Sequence, residues 1–458
     1  MGEVTLQEML DARDHRAGSQ RQLLETHKRP VLSYTMNIPG PVKDSPLIHR
    51  GFTIGLNELK NALARANIPM LSPKETRSVT GCEFLCAVDA DAETVKALCR
   101  IIEDASPMGR LFDMDVIDTN GCKLERPKER YCLVCRRTGR GCASRRLHGL
   151  DELNDAVIRL LQEGLMEADA GSVEALVTDA LREEVRTTPK PGLVDMRNNG
   201  AHADMSIETF QKSADALKGY WSDCFRIGVC YAEEPPEKCF FRLRERGRKA
   251  EEDMYLATCG VNTHKGAIFL LGTVCGAIGR LWRPHEPCRA PDMIARECAM
   301  LCHKAVADDF ALLEKQGIAR SAGEQLYLES GCRGARGELA EGLPGVIECA
   351  LPAFEDALAS GISRNDAGAT ALVHLIARGG DSNMIKRGGA ERARQACADA
   401  AALLPLPART EMEALDDSFI EQNLSPGGCA DLLAICYFLH DWKIGRITLP
   451  EAEETDRI

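Results

Sequence analysis

Four short polar segments in the second half of this 458-residue chain gather the residue types that handle polyphosphate and metal. They are residues 189–195 (Pro-Lys-Pro-Gly-Leu-Val-Asp) running into Asn-Asn-Gly-Ala-His at 198–202, residues 260–266 (Gly-Val-Asn-Thr-His-Lys-Gly), residues 333–338 (Arg-Gly-Ala-Arg-Gly-Glu), and residues 381–389, where Asp-Ser-Asn precedes Arg-Gly-Gly. Each sets glycine, which lets backbone approach a ligand, near Lys or Arg and a carboxylate or His. Lys190, Lys265 and Arg336 suit a cationic cradle for a triphosphate. Asp195, Asp204, Glu338 and Asp381 offer carboxylates for magnesium or acid/base work. His202 and His264 could protonate a leaving base, since an unperturbed imidazole titrates near neutrality. Singly, each has a more ordinary reading: a helix cap for Asp195 or Asp381, a satisfied core or loop residue for either His. Together, in loops of a helical region, they point to one phosphate-ligand site.

In the first half, residues 109–115 (Gly-Arg-Leu-Phe-Asp-Met-Asp) place Asp113 and Asp115 two apart on an expected strand. Alternation turns both carboxylates to one face, where they can share a divalent ion such as magnesium. A glycine turn leading into Asp-x-Asp resembles the nucleotidyltransferase superfamily; a plain surface strand is the simpler alternative. Lys43 follows a rigid Pro-Gly-Pro turn and could meet a phosphate, or merely close the turn. Cys132-x-x-Cys135, then Cys142 and His148, could supply four zinc ligands, against the more ordinary reading of reduced thiols. The run from Arg126 to Arg146 is basic in an otherwise acidic chain, and reads as a docking surface for an acidic partner or a solvated loop.

The elements that must position these residues differ between the halves. Residues 31–38, 83–88, 110–117 and 129–135 read as strands, with helical faces at Leu56, Leu59 and Leu63 and at Val95, Leu98 and Ile101 or Ile102. This gives an α/β or α+β first domain, 1–165. From residue 173 strand signals stop, and helices are expected over 173–186, 206–220, 266–283, 293–315, 346–360, 366–377 and 390–403. The second domain, 173–458, therefore reads as all-α, with its motifs between helices and a short linker at 164–171. The net charge of −12 argues against a general nucleic-acid binder. No apolar run approaches the ~20 residues that span a bilayer, and no signal peptide is evident, so a cytoplasmic protein without membrane partners is expected. The twenty cysteines are expected to be mostly reduced and buried.

The second half resembles triphosphoribosyl-dephospho-CoA synthase through Lys190 to Asp195, Asn198 to His202, Gly260 to Gly266, Gly334 to Glu338, Asp381-Ser382-Asn383 with Arg387-Gly388-Gly389, and Leu424 to Gly428 with Asp431. The first half resembles the apo-citrate lyase phosphoribosyl-dephospho-CoA transferase through Pro39 to Ser45, Gly109 to Asp115, and Cys132, Cys135, Cys142 and His148. Met196 and Ser382 depart from the residues common at those motif positions, without removing a charged group.

The resemblance implies two reactions. Dephospho-CoA attacks C1' of the ATP ribose and adenine leaves; then a serine of the citrate lyase acyl carrier (gamma) subunit takes the phosphoribosyl-dephospho-CoA group and pyrophosphate leaves. It implies Lys190, Lys265, Arg336 and Arg387 on the triphosphate, with Asn199, Asn262, Asn383, Gly388 and Gly389 about the substrates. Magnesium would sit on Asp381 or Glu338, with His202, His264 or Asp195 as acid and base. In the first domain it implies magnesium on Asp113 and Asp115, with Arg110 and Lys43 on phosphate. Alternatives are the same cofactor route serving malonate decarboxylase, or a non-catalytic nucleotide- or CoA-binding protein.

Overall fold

The computed structural model describes residues 2–446, apart from the side chains at 140, 143 and 322, so the end of the expected second domain, 447–458, lies outside the described residues. The chain divides into two compact units, Met1–Asp169 and residues from Ala170 onwards.

The first unit contains α1 (Leu6–His27), β1 (Val31–Met36), α2 (Pro46–Arg65), β2 (Met70–Ser78), β3 (Gly81–Val88), α3 (Ala92–Ala105), β4 (Phe112–Ile117), α4 (Gly139–Arg145) and the start of α5 (Leu150–Arg186). The strands form one sheet in the order β2-β3-β1-β4, and every pairing is antiparallel, which is the α+β arrangement. Alternation assigns the two faces. Tyr34 stacks on Phe52 of α2 and meets Phe112 edge-on, while its neighbour Ser33 accepts a hydrogen bond from Gln20 of α1 on the opposite face. Thr35 pairs with Asp113 and Ser33 with Asp115 across the ladder, so both carboxylates share the face of Ser33.

Three expectations fail here. Residues 129–135 form no strand, because Cys132 N–H turns back to Arg137 O and only an isolated bridge joins Tyr131 to Thr138. The unexpected strand β2 is an exposed edge strand with Pro73 and a bulge between Leu71 and Lys74, so it lacks the alternating pattern that announces a half-buried strand. Residues 164–171 are not a linker but lie inside the continuous helix α5, where Leu165, Ala170 and Val173 are buried. Gly164 is retained by packing: a Cβ there would lie 2.3 Å from that of Met108.

Among the described residues of the second unit the regular elements are helices: the rest of α5, then α6 (Ile207–Ala216), α7 (Tyr220–Cys230), α8 (Pro236–Ala257), α9 (Lys265–Arg280), α10 (Pro291–Gln316), α11 (Ala322–Ser330), α12 (Gly334–Ala340), a π-helical turn (Gly345–Ala350), α13 (Leu351–Ala359), α14 (Arg364–Arg378), α15 (Ser382–Ala401), α16 (Arg409–Glu421) and α17 (Gly427–Ile444). Twelve of the sixteen residues of α9 are buried, which makes it the central helix. It touches α7 backbone to backbone: a Cβ on Gly228 would lie 2.1 Å from Gly276 O, and one on Gly279 2.1 Å from Phe225 O. The motifs do not all fall between helices as expected. Lys265 opens α9, Arg336 and Glu338 lie within α12, and residues 382–389 form the start of α15, which kinks at Gly389 (φ 81°). All twenty cysteines are free of disulfides, and no helix among the described residues is long and apolar enough to cross a membrane.

Gly228→Ala is expected to lower unfolding stability by about 1–3 kcal/mol, because neither backbone at the crossing has a rotamer with which to yield. Denaturant titration of the full chain checks this; an unchanged midpoint would mean that α7 and α9 do not cross this closely.

Candidate active sites

In the second unit, three of the four polar segments, 260–266, 333–338 and 381–389, converge with the start of α17 on one cavity of about 460 Å³, whose walls include Asn262, Lys265, Arg336, Glu338, Asp381, Asn383 and Asp431. The beginnings of α9, α15 and α17 all reach it, so helix N-terminal partial charges add to the side-chain cations. Lys265 pairs with Glu251 at 2.8 Å and Arg336 with Glu324 at 3.4 Å, both partly exposed pairs that an entering phosphate can displace. Asp381 caps α15, accepting from the N–H of Asn383 (2.8 Å) and Met384 (3.0 Å), and also accepts from the Cys429 N–H of α17 at 2.9 Å. The helix-cap reading of Asp381 thus holds even though the residue lines the cavity. Burial raises its pKa, with those N–H groups opposing. Glu338 accepts from the Gly345 N–H and pairs with Arg378 at 3.2 Å; burial pushes its carboxyl up.

Asp431, Arg378 and Lys386 also line this cavity and went unassigned in the sequence. Asp431 sits against the first turn of α9, where a Cβ on Gly266 would lie 1.9 Å from Asp431 Oδ2. Its carboxyl is pushed well above the usual carboxylate range by burial and by the neighbouring charges of Glu184 and Asp381. The available signal was an acidic residue one helical turn after Gly427-Gly428, and for Arg378 a basic residue ahead of Gly-Gly-Asp.

The other expected residues of this half lie elsewhere. Lys190 is 2% exposed and joins Glu184 at 2.5 Å in the interior, so it is not a cavity-lining cradle residue. Asp195 is a buried turn carboxylate that accepts from the N–H of Lys190, Arg197 and Asn198. His264 is buried, its Nδ1 2.6 Å from Ser213 Oγ; burial, then the charge of Lys190, depress its pKa to about 3. That shift disfavours the imidazolium, the form in which His264 would act as a general acid. His202 meets Ser425 Oγ at 2.8 Å, with its pKa lowered by burial and by Arg387. Arg387 donates to Ala201 O at 2.9 Å, Gly388 packs on Leu424, and Asn199 is exposed in the same loop. Glycine in this loop serves backbone packing rather than ligand approach: a Cβ on Gly192 would lie 2.2 Å from Leu424 O.

In the first unit, Arg110, Asp113, Asp115, Cys132, Cys142 and His148 line a cavity of about 850 Å³. Asp115 pairs with Lys123 at 2.5 Å, and Lys96 lies 3.9 Å away. Burial and then the charge of Asp115 raise the pKa of Asp113, with Lys123, Arg130 and Lys96 opposing. Arg110 donates from Nε to Tyr131 O at 2.8 Å. Lys43 is placed differently: it donates to Ile38 O and lines a neighbouring cavity that Asp113 also borders. Burial, then Arg13, lower its pKa. Of the basic run, Arg126 pairs with Asp104 and Arg130 with Glu103, while Arg136 and Arg137 are exposed.

Known proteins share this organisation. The family model for ATP:dephospho-CoA triphosphoribosyl transferase matches residues 170–446, and that for apo-citrate lyase phosphoribosyl-dephospho-CoA transferase matches residues 4–164. Protein CitXG of Haemophilus influenzae is 32% identical over 457 residues, 96% of this chain and 97% of the relative. A probable 2-(5''-triphosphoribosyl)-3'-dephosphocoenzyme-A synthase of Photobacterium profundum is 41% identical over 266 residues, 57% of this chain and 84% of the relative. With both matches falling on the two units in turn, the chain belongs to the ATP:dephospho-CoA triphosphoribosyl transferase family through its second unit and to the apo-citrate lyase phosphoribosyl-dephospho-CoA transferase family through its first.

Proposed function

We propose that the second unit, an all-α domain, joins ATP to 3'-dephospho-CoA with release of adenine. The first, a nucleotidyltransferase-like domain, then passes the phosphoribosyl-dephospho-CoA group to a serine of the citrate lyase acyl carrier and releases pyrophosphate. The observation that carries this reading is the meeting of Lys265, Arg336, Glu338, Asp381 and Asn383, from separate motifs, around one cavity.

In the first reaction the dephospho-CoA 2'-hydroxyl gives up its proton and forms a bond to C1' of the ATP ribose, as the bond to adenine breaks and the departing adenine takes up a proton. The transition state is oxocarbenium-like, so the site must hold the triphosphate still and protonate adenine. Lys265 and Arg336 take the triphosphate, exchanging their carboxylate partners for phosphate. Asp431, whose pKa burial and the neighbouring carboxylates raise, is the carboxyl placed to supply the proton to adenine. Glu338 suits magnesium better than Asp381: its partner Arg378 is an exposed side chain that can turn away, whereas Asp381 is committed to three backbone N–H groups. Magnesium there would neutralise charge on the triphosphate.

In the second reaction the carrier serine oxygen bonds to the ribose-linked phosphorus as the bond to pyrophosphate breaks. Asp113 and Asp115 present hard oxygen donors on one face, a set that fits magnesium, which would balance charge on the leaving pyrophosphate. The exposed Arg136 and Arg137 suit an acidic carrier.

Mass spectrometry of apo carrier after incubation with the chain, ATP, magnesium and dephospho-CoA, with adenine followed by chromatography, tests the whole reading. Adenine together with a carrier adduct supports it, and absence of both products overturns it. Asp431→Asn should slow adenine release on the order of 100-fold or more while a supplied triphosphoribosyl intermediate is still transferred. In the unsubstituted chain the protonated Asp431 is present below its raised pKa and lost above it, so adenine release should fall as pH rises through that value. A pH profile whose alkaline limb persists in Asp431→Asn would remove Asp431 from this role. Conversely, Asp113→Asn should cut carrier modification on the order of 100-fold with adenine release unchanged; undiminished adduct formation would leave Asp113 outside the transfer site.

A further inference from the structure

We propose that Cys132, Cys135, Cys142 and His148 bind a structural zinc ion in the first unit. One ligand atom from each lies within 4.8 Å of the other three, and among the described residues this is the group of His, Cys, Asp or Glu atoms that converges in this way. Zn–S bonds of about 2.3 Å set sulfur–sulfur separations of roughly 3.8 Å in a tetrahedron. The Cys135 and Cys142 sulfurs are 3.4 Å apart, close to that edge and well beyond the roughly 2.05 Å of a disulfide.

Two further observations point to a cation at the centre. The first is the backbone around the first cysteine pair. Cys132 N–H donates to Arg137 O at 2.6 Å, and Arg136, directly after the second cysteine, adopts φ 57°. A side chain in that left-handed conformation is held there by its surroundings. The second is His148. Its Nε2 is buried with no hydrogen-bond partner, while Nδ1 lies 3.7 Å from the Glu152 carboxylate. An imidazole with a carboxylate near one nitrogen and the other nitrogen bare has the polarity of a metal ligand.

Three sulfurs and one nitrogen complete a tetrahedral shell, so the ion organises structure and takes no substrate. Its place shows what it organises. Tyr131 O, next to the first ligand, receives Arg110, and Arg130 donates to Phe112 O at 2.6 Å, at the start of the strand that carries Asp113 and Asp115. The ion would thus hold the 130–148 segment as one wall of the cavity those carboxylates line.

Full-length protein purified from zinc-supplemented cells, without chelator or a metal-affinity step, is expected to carry about one zinc per chain by plasma mass spectrometry. Cys135→Ser and His148→Ala should each lose it, and Cys122→Ser, at an exposed cysteine outside the group, should keep it. Because a ligand variant could fail to fold, the unsubstituted chain is also loaded with cobalt, which should show thiolate charge-transfer and tetrahedral d–d absorption. Zinc far below one per chain, octahedral cobalt spectra, zinc retained by the Cys135→Ser/Cys142→Ser variant, or a Cys135–Cys142 disulfide in metal-supplemented protein would each overturn the proposal.

Discussion

The second unit depends on the close crossing of α7 and α9. Gly228 and Gly279 remove the side chains that would otherwise hold the two backbones apart, and the buried helix α9 is thereby seated in the middle of the unit. A helix buried on most of its surface has little freedom to tilt or slide, since interiors are packed as densely as organic crystals. Its N-terminus is fixed in consequence, and with it Lys265, Gly266 and the seat of Asp431. The chemistry proposed for the cavity is therefore positioned by apolar packing behind it.

Buried charge does a second part of the positioning. Lys190 and Glu184 neutralise each other in the interior, Asp195 gathers three N–H groups of its own turn, and Asp416 receives Gly192 N–H, Arg197 and Asn198 to tie the 189–202 loop to α16. Such groups are costly to bury unless paired, and strongly constraining once they are. They separate from the ligand-facing residues by one criterion. A charged group satisfied by backbone or by a buried partner maintains the fold; one held in a partly exposed ion pair remains free to exchange its partner for a ligand.

The first unit solves a different problem, a strand bearing two carboxylates at the edge of a sheet. The outer edge of β4 is covered by side chains: Glu103 accepts the Met114 N–H, Lys96 donates to Met114 O, and Arg130 donates to Phe112 O. This satisfies an edge that would otherwise recruit another strand, and leaves Asp113 and Asp115 on the open face. The loop that supplies Arg130 is the one the four zinc-type ligands gather, so edge protection and cavity wall share one segment.

Much of this was legible in local sequence. The Asp113-x-Asp115 pair, the helical faces at Leu56, Leu59 and Leu63, and most helices of the second unit follow from side-chain periods of two and 3.6, which the backbone imposes without reference to distant residues. Composition marked the two halves, and motif order the family. Tertiary structure decided what distance along the chain conceals: that α5 runs unbroken through 164–171, that Lys190 and His264 are interior, that Lys265, Glu338, Asp381 and Asp431 meet, and that three cysteines and a histidine close on one point. A motif states which groups are available, but burial and partnership set their protonation and reach, and these depend on which helices come to lie beside them.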